Sequence, residues 1–125
     1  MKIPVKLEKT RTGFSAYAEK YPVYSVGKTM DQLKARMVEA LNLYFEKRKK
    51  VISEKDLRFM IDLPQLFECY TVINAKALAE RIGMHQSLLA QYIHGHKRPS
   101  ALQLTRILKG VQQVGRELNA IRILT

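Results

Sequence analysis

The sequence predicts an α+β protein in two parts, a small β-β-β-α-β unit over residues 1–62 followed by an all-α domain over residues 63–125. Three features carry this. Apolar and polar residues alternate with a period of two as far as Gly27, the period lengthens to that of a helix from Thr29, and no clear strand pattern returns from Leu66 until the last residues. A chain of 125 residues allows one ordinary domain or two very small ones, and 46% hydrophobic residues suffice for a buried core.

Ile3-Pro4-Val5-Lys6-Leu7-Glu8 alternates as a strand with one buried face does, and Pro4 places it at a sheet edge or a strand start. After the turn residues Thr10-Arg11-Thr12-Gly13, Phe14, Ala16 and Ala18 alternate with Ser15, Tyr17 and Glu19 as the second strand of a hairpin. A third short strand covers residues 23–26 and ends at Gly27. Met30, Leu33, Met37, Leu41 and Tyr44/Phe45 then form one helical stripe, with Lys34, Glu39, Asn42 and Glu46 facing away. Thr29 and Gln32 stand at capping-box spacing, and Asp31 suits the positive end of the helix. This helix is expected to end in Lys47-Arg48-Lys49-Lys50, whose cations read as dipole partners in solvent; a phosphate contact is the lesser alternative. Residues 57–62 read as one more strand, stopped by Pro64. Such a sheet needs a second layer or a partner over its other face.

In the second part, Leu66-Phe67, Cys69-Tyr70 and Ile73 suit a short helix. Asn74 caps a helix over residues 75–82, with Leu78, Ala79 and Ile82 buried and Gly83 turning left-handed at its end. A further helix spans residues 86–94 before Gly95, and another spans 101–114 with Leu102, Leu104 or Thr105, Ile107, Leu108 and Val111 as core candidates. Residues 119–124 are expected to form a strand and a dimer contact.

Twenty-two Lys and Arg against eleven Asp and Glu give a net charge of +11, which points to an acidic partner. Cys69, the single cysteine, excludes an internal disulfide and a Cys-rich zinc site and suits a reducing compartment. No apolar run is long enough for a membrane span, and residues 1–10 lack the apolar block of a secretory signal, so a cytoplasmic protein is expected.

The densest motif lies between Asn74 and Ser100. A helix-turn-helix needs a small residue where its helices cross, a glycine four residues on at the turn, and a hydrophobe six further to lock down the recognition helix. Ala79, Gly83 and Leu89 meet this in order, and the segment resembles the helix-turn-helix of the Xre/Cro/lambda-repressor type, Tyr92 departing from the smaller aliphatic usual there. The resemblance places Gln86, Ser87, Ala90 and Gln91 toward the DNA groove, where Gln can pair with adenine and Ser with a base edge or phosphate. Asn74, Lys76, His94, Lys97 and Arg98 are the candidates for phosphate contact. The bland alternative makes Ser87 a helix cap and the two Gln solvated surface. From Tyr70 to Thr125, eight Lys/Arg face two acids, Glu80 and Glu117, a net charge of +6 that suits double-stranded DNA.

Catalysis finds little support. His85, His94 and His96 crowd the motif, but no Cys or carboxylate stands beside them at ligand spacing, so neither metal nor cofactor is expected. The carboxylates Glu8, Glu19, Asp31 and Asp62 form no obvious pair, and Cys69 sits in an apolar context as a core residue. A binder, not an enzyme, is the expectation.

The pairing of the two parts resembles the antitoxin of HicA/HicB toxin–antitoxin systems. The likeness rests on the hairpin through Thr12-Gly13-Phe14-Ser15-Ala16, on Tyr21-Pro22-Val23-Tyr24-Ser25-Val26-Gly27-Lys28-Thr29, and on the helix that begins at Met30. It implies a partial ribonuclease-H-like N-terminal domain without the metal site, which would occupy the active site of a small HicA-like mRNA interferase toxin. It also implies a homodimer or higher homo-oligomer that represses its own operon through operator DNA. The alternatives are a stand-alone regulator whose N-terminal part dimerises or senses a ligand, and a nuclease that keeps a ribonuclease-H-like site.

Overall fold

In the computed structural model, which describes residues 2–125, the chain divides after Cys69 into two units. The first holds strands β1 (Ile3–Lys9), β2 (Phe14–Ala18), β3 (Tyr24–Gly27) and β4 (Leu57–Met60) and helices α1 (Met30–Tyr44) and α2 (Leu63–Cys69). The strands form one mixed sheet in the order β3-β2-β1-β4, antiparallel except for the parallel pair β1/β4. A parallel pair needs a crossover of a dozen residues or more, and the segment carrying α1 supplies it. Ile3, Val5 and Leu7 of β1 and Ala16 and Ala18 of β2 meet Leu33, Met37, Leu41 and Phe45 in the core on that side.

Of the two placings open to Pro4, the sheet bears out the strand start and excludes the edge. β1 pairs on both sides and is not an edge. Pro4 is the second residue of the strand, and its carbonyl accepts from Glu19 N–H at 3.3 Å, so the missing donor falls on the β2 side just past the last pair, Val5 with Ala18. The parallel ladder to β4 therefore loses nothing.

The helix α1 differs from expectation at both ends. Thr29 Oγ1 accepts from Gln32 N–H at 3.1 Å, but Gln32 Oε1 reaches past the cap to Lys28 N–H at 2.7 Å, so the capping box is not closed. At the other end α1 stops at Tyr44 and a 3-10 turn over Glu46–Arg48 follows, with Lys49 left-handed at φ 55°; the basic run stands beyond the helix. Asn42 does not face away: its Nδ2 donates to the Ile52 carbonyl at 3.0 Å and its Oδ1 accepts from Ile52 N–H at 2.7 Å, which pins the chain returning toward β4.

Pro64 opens α2 in its first turn, where its lack of an N–H costs nothing, and Asp62 accepts from Gln65 N–H there at 2.9 Å. Gln65 Oε1 in turn accepts from Lys9 N–H at 2.8 Å and ties α2 to the end of β1. The division of the chain thus follows Cys69, later than residue 62, because α2 belongs to the sheet unit.

The second unit comprises α3 (Ala75–Ile82), α4 (Gln86–Ile93) and α5 (Ala101–Ala120), with Leu78, Ala79, Met84, Leu89, Tyr92 and Ile107 buried among them. A Cβ on Gly110 would come within 2.4 Å of Ile82 Cγ2, so only glycine lets α5 approach α3 this closely. Three core expectations fail: Leu102, Leu104 and Leu108 are exposed, Leu102 at 73%. The helix also runs on to Ala120, and residues 121–125 form no strand. Asn119 and Ala120 close its last turn, and a ladder for the residues beyond would need an edge that this all-helical unit lacks.

Candidate nucleic-acid interface

The geometry of the second unit is set by its helix ends. Asn74 Oδ1 accepts from Ala77 N–H at 3.0 Å and starts α3. Gly83, at φ 69°, stops it: Gly83 N–H donates to the Glu80 carbonyl at 3.3 Å and Met84 N–H to the Ala79 carbonyl at 2.9 Å, while the Met84 side chain is buried. That closure turns the chain within Gly83-Met84-His85 and launches α4. His85, not Ser87, caps α4. Its Nδ1 accepts from Ser87 N–H at 3.2 Å and lies 2.7 Å from Ser87 Oγ. At the far end Gly95, at φ 75°, repeats the same closure, with His96 N–H donating to the Gln91 carbonyl at 2.9 Å.

At about 100° per residue, Leu89 and Tyr92 occupy one arc of α4 and are buried, while Ser87 and Gln91 occupy the opposite arc and Gln86 its flank, all three exposed. Ala90, half-buried, lies between Gln86 and Ser87 on that side. Ala79 and Leu89 are fully buried where α3 and α4 pack, and Gly83 stands at the turn. His94, Lys97 and Arg98 are exposed in the segment directly after α4, and Lys76 is exposed in the first turn of α3. Asn74, also exposed, caps α3 through its Oδ1 and borders an apolar groove.

Two polar clamps escape sequence reasoning because their partners are distant in the chain. Arg106 on α5 donates to the carbonyls of Ile82 and Gly83 at 2.8 and 3.1 Å and so neutralises the negative end of α3. Arg81 and Glu117 form a two-pronged pair at 2.6 and 2.8 Å. The paired hydrogen bonds raise the Arg81 pKa and hold the Glu117 carboxyl below its ordinary value. No local signal announces either contact.

Among the described residues no group of three or more His, Cys, Asp or Glu is placed to hold a metal ion. The rings of His94 and His96 stand 6.0 Å apart without further ligands near them. Cys69, half-buried in the first unit, has its thiol pKa pushed up by burial, which disfavours the reactive thiolate. No helix among the described residues is long and apolar enough to cross a membrane. Comparison with family models, curated proteins and solved structures finds no match for the chain.

The first unit carries a second surface. Register places Tyr24, Tyr17, Lys6 and Met60 side by side across all four strands on the face away from α1. Tyr24 is 75% exposed and Tyr17 41%, and Lys6 Nζ lies 6.0 Å from the Tyr17 ring centroid. Met60 is 47% exposed.

Proposed function

We propose that the chain is a DNA-binding antitoxin of the HicB type. In this reading α3 and α4 form an Xre/Cro-like helix-turn-helix that binds the operator of its own operon, and the partial ribonuclease-H-like first unit neutralises a small HicA-like ribonuclease toxin. The observation that carries it is α4 itself, whose apolar arc is consumed by packing while Gln86, Ser87 and Gln91 are exposed at the surface of a unit with net charge +6. On this reading Gln91 and Ser87, one turn apart, read base edges, and Lys97 and Arg98 hold phosphates. The open sheet row of Tyr24, Tyr17, Lys6 and Met60 is the toxin's docking surface.

The test is a titration of the full chain on the duplex upstream of its own gene and on a scrambled duplex at several salt concentrations. Gln91→Ala should lose about 1–3 kcal/mol on the first duplex only, leaving the salt slope unchanged. Lys97→Ala should weaken both and lower the log–log salt slope by about one unit. Equal losses on both duplexes for Gln91→Ala would remove α4 from the groove. For the first unit, co-expression with the adjacent toxin should rescue growth, and Tyr24→Asp in the full chain should abolish the rescue; unchanged rescue would move the toxin off the sheet row.

A further inference from the structure

Past α1 the chain of the first unit makes a short excursion from a fixed base. Phe45 before it and Ile52 after it are buried, and Asn42 holds the Ile52 backbone by its two hydrogen bonds. Residues 46–51 between them are exposed and carry Lys47, Arg48, Lys49 and Lys50 in succession against one carboxylate, Glu46. No basic residue lies in the last turn of α1, so pairing with the helix dipole does not account for the run. Lys47, Arg48 and Lys49 make no side-chain hydrogen bond or ion pair with any described residue. Lys49 also holds φ 55°, the only positive φ outside glycine among the described residues, and glycine would sit there at less cost. A charge is kept at this position against a backbone penalty. Aromatic rings adjoin the cations. Lys50 Nζ lies 5.6 Å from the centroid of Phe45, whose ring meets Tyr44 at 5.0 Å and Tyr21 at 4.8 Å. Tyr44 is 39% exposed and Tyr21 half-buried, their rings 5.5 Å apart.

We infer that this excursion and the rings beside it bind single-stranded nucleic acid, with Lys47, Arg48 and Lys49 holding successive phosphates and Tyr44 stacking one base. Cations that track a backbone beside an exposed aromatic face are what an unpaired strand requires, and since every base has a face to stack, such a site tolerates any sequence. A duplex presents the same phosphates, but its bases are stacked inside and none reaches Tyr44. An anionic membrane also attracts a basic run, yet stable attachment takes an apolar face as well. The stripe of α1, with Leu33, Met37 and Leu41, is already spent on the sheet. The site uses no residue of α3 or α4 and none of the sheet row, so it is independent of the operator and of the toxin.

The test takes the full chain with an unstructured RNA of about ten nucleotides, the same strand annealed to its complement, and vesicles of phosphatidylglycerol. In backbone amide spectra the single strand should shift residues 44–50. By fluorescence anisotropy, the triple variant K47Q/R48Q/K49Q should lower the log–log salt slope on the single strand by about two units, at roughly 0.7 per cation removed. Its melting temperature should match the wild type, because the three side chains hold no partner. Tyr44→Leu should weaken the single strand at least about fivefold and leave the duplex as it was, while Tyr44→Phe should bind as the wild type does. Shifts confined to residues 86–98 would put the RNA on α4 and overturn the inference, as would an unchanged slope in the triple variant. Equal losses on strand and duplex for Tyr44→Leu would overturn the stacking, and binding to vesicles without binding to RNA would give the site to a membrane. A strand held at residues 44–50 by a chain that ignores operator DNA would uphold this site and remove the operator reading.

Discussion

Leu89 is the residue on which the presentation of α4 turns. It is fully buried, and α4 has only eight residues, so the helix is held in place chiefly by Leu89 and Tyr92. Truncating a leucine at a closed site costs the transfer of its methyl groups plus the cavity left behind, about 3–5 kcal/mol for Leu89→Ala. A unit of this size has a total stability of roughly 3–8 kcal/mol. The substitution therefore consumes most of what holds α3, α4 and α5 together, whereas the buried cluster of the first unit contains no residue from the second. Urea unfolding followed by circular dichroism should show the second unit melting early, and backbone amide spectra should show the sheet unit unchanged. On the proposed DNA-binding reading, affinity should fall on any duplex, because the whole α4 surface is lost. Leu89→Met, which nearly conserves volume, should cost under about 1.5 kcal/mol and keep binding. A loss below about 1 kcal/mol for Leu89→Ala would refute the packing argument.

Other outcomes follow from single contacts. Asn42→Ala strips both hydrogen bonds from the Ile52 backbone and should destabilise the sheet unit by about 1–3 kcal/mol in denaturant titration, and Asn42→Asp should not rescue it at neutral pH, because a carboxylate oxygen would then face the Ile52 carbonyl in place of the donor. Gly95→Ala meets no neighbouring atom within 4 Å, so its only penalty is the left-handed backbone at φ 75°, about 1 kcal/mol in the melting of the second unit. Because Arg81 lowers the Glu117 pKa, the pair's stabilisation is fully present above the ordinary carboxyl value of 4.5 and fades as pH falls through the lowered one. The difference in melting temperature between wild type and Glu117→Gln should accordingly shrink below about pH 4.5 and vanish in stronger acid.

What the sequence by itself determined was whatever closes within one turn of chain. Asn74 capping α3, Gly83 and Gly95 turning left-handed, the hairpin ending at Gly13 and the stripe from Leu33 to Leu41 all depend on partners a few residues away, and each stands where its pattern placed it. Ala79 and Leu89 were legible for the same reason, since two short helices joined by three residues leave one way to bury both. Only the tertiary structure decided what depends on remote partners. β1 became an interior strand because β4 returned beside it more than fifty residues later, and no local feature of Ile3-Pro4-Val5 records that. Leu102, Leu104 and Leu108 share α5 with Ile107, but α3 lies along only one side of that helix, so hydrophobicity alone misplaced them. Arg106 and the Arg81–Glu117 pair join α5 to α3 across 23 to 36 residues. Propensity and period describe a segment's own preferences; which face finds a partner is settled only when the helices pack.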